Sequence, residues 1–171
     1  MIDINKFLKS ILCNNYILIK TDVPYMPLDF PEKYPIGKDM DVISTDDYNN
    51  IVNKIIIFSK VYNDIFDIRT IIKDNNFRLR FEKNKKLHYQ IDISNEFYSL
   101  PYWFIKNSID NKILKDNKYY IPEIRYEVIY RYYAFINNVK KIYHREYIKK
   151  YIKNVDKDII SRVDLNFIGN L

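Results

Sequence analysis

The chain has one cysteine and two glycines among its 171 residues, and no apolar run approaches the roughly 20 residues that a membrane helix needs. A single thiol excludes an internal disulfide framework and a cysteine-rich zinc site; it fits a reducing interior, with Cys13 expected as a buried structural thiol. The opening "MIDINKFLKSILCNN" lacks the basic segment, long apolar core and small-residue cleavage site of a signal peptide, so a cytoplasmic protein without membrane insertion is expected. There are no repeats, no Gly/Ser linker and no low-complexity tract. His88 and His144 are too isolated for a zinc site, and neither a Ser-His-Asp nor a Cys-His set is present.

Hydrophobic residues make up 47% of the sequence, enough for a buried core in one domain with a helical appendage. The 17 tyrosines and the abundance of Ile, Asn and Lys carry the bias of an AT-rich genome, which says nothing about chemistry. Charge is unevenly placed. Residues 1–104 hold 14 basic and 14 acidic side chains, whereas residues 105–171 hold 14 and 8, so the whole excess of +6 lies in the C-terminal part. The expected division is therefore a core over 1–104 and a basic helical part over 105–171, facing either an anionic partner or open solvent.

Helical spacing and turn residues predict a helix near 3–13, a strand over "YILIKT" at 16–21, and an irregular four-proline loop in "DVPYMPLDFPEKYPIG". A strand follows at 39–44, then an amphipathic helix over 46–61 that Ser44 or Thr45 can cap. Three extended runs come next: "DIFDIRTII", "FRLRFEK" and "KLHYQIDIS". In the last, Leu87, Tyr89, Ile91 and Ile93 share one face and His88, Gln90 and Asp92 the other. Helices are expected at 122–137, with Pro122 in the first turn, at 143–153 and at 156–165. Within the first, Glu123, Glu127 and Arg131 have the i, i+4 spacing of a locally salt-bridged face. The fold class is α+β, a mixed β-sheet flanked by helices with a C-terminal helical part.

The chemistry points to "YPIGKDMDVIS". In a strand, Asp39 and Asp41 fall on one face and Met40 and Val42 on the other. Two carboxylates this close repel unless solvent screens them or a cation lies between. If the strand bearing Asp92 is a neighbour, three acids converge, a set of oxygen ligands suited to Mg²⁺ or Mn²⁺. The plainer possibility is ordinary strand-edge acids.

"GKDMDVIS", the following helix and the later "YQIDIS" resemble the nucleotidyltransferase superfamily with the polymerase-beta-like fold. The likeness covers roughly residues 15–95 and is nearer to bacterial relatives with an "lR…lP…GkDiDi" pattern, often found beside surface-polysaccharide genes; "LIKTDVPYMP" and "YPIGKDMDV" hold those places. The resemblance implies that Asp39 and Asp41 are the metal-binding pair and Asp92 the third acid, acting on a nucleoside triphosphate. Candidate nucleotide- or substrate-binding residues are Gly37, Lys38, Lys20, Arg78 and Arg80, with Lys140 and Lys141 closing over the sheet from the helical part. The Gly-Ser that the superfamily carries before its acidic pair is absent; "PLDFPEKYP" stands there. Two functions follow. One is Mg²⁺-dependent nucleotidyl transfer to an unknown acceptor, an anionic one among the candidates; the other is a catalytically degenerate module that binds nucleic acid or a protein.

Overall fold

The structure is a computed structural model and describes residues 2–73 and 75–163. α1 (Ile4–Ile11) leads into β1 (Ile17–Ile19) and β2 (Lys38–Ile43), then α2 (Tyr48–Lys60) and the run β3 (Asp67–Lys73), β4 (Asn76–Lys83) and β5 (Lys86–Ser94). After it come α3 (Tyr102–Asp110), a hairpin of β6 (Ile113–Lys115) and β7 (Tyr119–Ile121), and α4 (Ile124–Asn137). α5 (Ile142–Tyr151), with a 3₁₀ turn at Ile152–Asn154, and α6 (Lys157–Arg162) complete the described chain. No helix among the described residues is long and apolar enough to cross a membrane.

Five strands form one mixed sheet in the order β1-β2-β5-β4-β3. The β2–β5 pair is parallel and the others antiparallel. The α+β class with a mixed sheet flanked by helices is therefore as expected. Alternation decides the layers: Met40 and Val42 of β2, Phe77, Leu79 and Phe81 of β4, and Tyr89, Ile91 and Ile93 of β5 share one core with α1 and α2. Ile17 and Ile19 of β1 and Ile43 of β2 belong to a second core, with α3, α4 and Ile148 of α5. The second core covers part of the opposite face and leaves the stretch with Asp39, Asp41 and Asp92 at its margin.

Several expectations need correction. Cys13 is exposed, because α1 ends at Ile11 and directs Ile4, Phe7, Leu8 and Ile11 inward, leaving the thiol on the turn beyond it. Neither Ser44 nor Thr45 caps α2: the helix begins at Tyr48, and Ser44 Oγ donates instead to the Asn15 carbonyl at 2.6 Å. Pro122 stands just before the cap residue of α4 rather than in its first turn. α4 is more than an apolar stripe, since every residue from Tyr126 to Ala134 is buried between the sheet and its helical neighbours. The sequence spacing predicts neither α3 nor the β6–β7 hairpin. Of the helix expected over 156–165, the last two residues lie outside the described residues.

Candidate metal centre

β2 and β5 run parallel in a register that sets Asp41 beside Asp92 and Asp39 beside Gln90. Asp39, Asp41 and Asp92 therefore share a face, and one carboxylate oxygen from each lies within 4.8 Å of the others. The first two are half-buried and Asp92 is buried. Three like charges at this separation demand compensation.

Two cations supply part of it. Lys20 Nζ lies 2.7 Å from Asp41 Oδ2. Arg78, directly across from Asp92 on β4, grips it with two parallel bonds, Nε to Oδ1 at 2.9 Å and a terminal guanidinium nitrogen to Oδ2 at 3.0 Å. Gln90 adds a bond to Asp92 Oδ2 at 3.2 Å. Among the described residues, no basic group forms an ion pair with Asp39. Burial raises the pKa of Asp92; Arg78 pulls it back, and Asp41 and Asp39 push it up again, leaving it above the usual carboxylate range. Burial works to lower the pKa of the Lys20 amine, but Asp41, with Asp39 behind it, outweighs burial and holds it above the ordinary lysine value.

Lys20 is itself held from behind. Its backbone is left-handed at φ +59°, a costly conformation for a side chain other than glycine. Its N–H donates at 2.9 Å to Glu127 Oε1, the same oxygen that accepts from Arg131 Nε at 2.6 Å. Arg131, fully buried, donates to the Asp22 carbonyl at 2.8 Å, lies over the Tyr147 ring at 4.5 Å and reaches His144 Nδ1 at 3.4 Å. The Glu127–Arg131 pair is present as the i, i+4 spacing implies, yet inside the protein rather than on a solvated face. No local signal could have shown this, because Lys20 and Glu127 are 107 positions apart.

Of the other candidates, Gly37 has φ +75° and donates its N–H to the His88 carbonyl at 2.7 Å, so it makes the turn that aligns β2 with β5. Lys38 lies over the Tyr25 ring at 4.6 Å. Arg80 turns to Glu82 at 3.3 Å, where Arg69 also pairs at 3.2 Å. Lys140 and Lys141 sit on the turn between α4 and α5. That turn leads into Tyr143, whose ring meets Tyr25 edge-on at 6.1 Å. The Tyr25 hydroxyl feels the charge of Asp39 and Asp41, although burial is the larger reason that its pKa is raised. The first turn of α5 therefore reaches the neighbourhood of the carboxylates through this aromatic pair.

No family model matches the chain, and no curated protein gives a significant match. Among solved structures it is similar to the crystal structure of the Megavirus polyadenylate synthase, at 11% identity and a TM-score of 0.44, with 88% of this chain and 34% of that chain covered. The chain thus spans about a third of that protein's length. The surface-polysaccharide association implied by the motif finds no support in these comparisons.

Proposed function

We propose that this chain is a nucleotidyltransferase domain of the polymerase-beta-like type, which uses a divalent cation to move a nucleotidyl group from a nucleoside triphosphate to an acceptor. One observation carries the reading: three carboxylates from two adjacent parallel strands converge within 4.8 Å on one sheet face. The donor set is all oxygen and carries three negative charges against two basic partners, which fits Mg²⁺ or Mn²⁺ held by Asp39, Asp41 and Asp92. A cation there would supply charge neutralisation for the triphosphate and orientation of the attacking and leaving oxygens. The protein's own contribution is positioning. Lys20 and Arg78, fixed against two of the acids, are the first candidates to meet phosphate oxygens, and Lys38, Arg80, Lys140 and Lys141 are the further candidates to hold phosphate or an anionic acceptor.

A second reading draws on the same geometry. Arg78 occupies both oxygens of Asp92 and Lys20 one of Asp41, which is how a degenerate, binding-only member would neutralise its acids without a metal. Incubation with each of the four nucleoside triphosphates and Mg²⁺ or Mn²⁺, with pyrophosphate release measured, separates the two. Release with at least one nucleotide, lost in Asp41→Asn, is expected. Absence of both release and Mn²⁺ binding would leave the binding module as the better account.

A further inference from the structure

β3 ends the sheet, and among the described residues no strand pairs with its outer side. Six of its seven residues are exposed, so its outward N–H and C=O groups are open to another strand. The side chains nearby are apolar where solvent would favour polar ones. Ile72 is 72% exposed, and its register opposite Phe77, like that of Ile68 opposite Phe81, puts both on the face that α2 covers. Ile65, in the connection that leads into β3, is also exposed. Two exposed aliphatic side chains, Ile72 on the strand and Ile65 just before it, thus stand by one open edge.

The edge is also complementary to itself. Two copies pairing antiparallel about a two-fold axis perpendicular to the sheet must place that axis at a residue pair. With the axis at Thr70, Asp67 falls opposite Lys73 of the second copy, Ile68 opposite Ile72, and Arg69 opposite Ile71. Every charged end meets its opposite, and the apolar face continues across the seam. Moving the axis to Ile71 sets Arg69 against Lys73, and moving it to Arg69 leaves Asp67 against Ile71. Within one copy, Asp67 lies across from Glu82, a like-charge pair that an incoming lysine would offset.

We infer that the chain self-associates through β3 into a two-fold dimer, joining two five-stranded sheets into one, with Ile68 and Ile72 of the two copies meeting across the axis. The seam is short, so a dissociation constant of about 10 μM is expected. Sedimentation velocity on the whole chain tests this, starting from the 20.9 kDa monomer. The wild type should pass to a dimer as concentration rises. Lys73→Asp or Asp67→Lys alone should weaken it about tenfold or more, because each puts two like-charge pairs in the seam. An equimolar mixture of the two single variants should recover the dimer, since each then supplies the charge that the other lacks. Ile72→Glu, checked by circular dichroism for an unchanged fold, should stay monomeric. A wild type that is monomeric up to about 0.5 mM, or a dimer indifferent to these changes, would overturn the inference.

Discussion

Asp39→Asn is expected to weaken divalent-cation binding sharply while making the cation-free protein more stable. The two effects share one cause. Asp41 and Asp92 each have a cationic partner, at 2.7 and 2.9 Å, whereas Asp39 adds a third negative charge within 4.8 Å of both. At an effective dielectric near 20, unit charges about 4 Å apart repel by about 4 kcal/mol; partial exposure of Asp39 and Asp41, and the pull that Lys20 and Arg78 also exert on Asp39, reduce this to a net gain of about 1 kcal/mol on substitution, or a few degrees in Tm. Asn keeps the volume and strands no cation. Asp41→Asn should behave oppositely: it leaves the Lys20 amine, 12% exposed, without its partner, and should cost about 2–3 kcal/mol. Both should weaken Mn²⁺ binding by more than about a hundredfold, measurable by calorimetry or electron paramagnetic resonance. A destabilised Asp39→Asn would mean that the carboxylates do not strain one another, and the case for a cation between them would fail. Stability given up at a cluster of like charges is the usual mark of a site kept for function.

The acids were legible in the sequence because strand alternation is a local rule. In "KLHYQIDIS" the apolar residues fall on every second position, so alternation alone sets Asp92 on the polar face, whatever strand lies beside it. What alternation cannot supply is the partner across the sheet. The grip of Arg78 on Asp92 depends on the β4–β5 register, and that register includes an irregularity at Phe81 and Glu82 that no spacing foretells. β6 and β7, three residues each, are too short to show a period. α4 misleads for a different reason. An i, i+4 Glu–Arg pair has the same sequence whether it faces water or lies in a core, and only the packing of α5 and the Asp22 carbonyl decides between them. The expectation that lysines of the helical part serve the carboxylates thus missed its more intimate contribution, a buried glutamate that fixes the backbone of Lys20.

Arg131→Met should cost about 3–5 kcal/mol at pH 7, because it leaves Glu127 buried and without its counter-ion. The loss should shrink on acidification. Burial already raises the pKa of Glu127, and Arg131, with the Lys20 N–H, pulls it back down; without the guanidinium it rises further. A carboxyl whose folded pKa exceeds its unfolded value favours the folded state at low pH, and that contribution is lost as pH rises through the folded pKa, so the variant is worst near neutrality. His144 gives the wild type the opposite slope. Burial, helped by Arg131 and Lys20, pushes its imidazole down to about 3, so it stays neutral when folded and charges near 6.5 when unfolded. Stability from His144 is complete above pH 6.5 and is lost as pH falls toward 3. Melting curves from pH 7 to about 4 should therefore show the wild type falling and the gap to Arg131→Met narrowing. Adding Glu127→Gln to Arg131→Met should recover more than half of the loss at pH 7, since the amide oxygen still accepts the Lys20 N–H and no buried charge remains. A double variant no more stable than Arg131→Met would show that the two side chains are not coupled, and that Lys20 owes its left-handed backbone to something other than this pair.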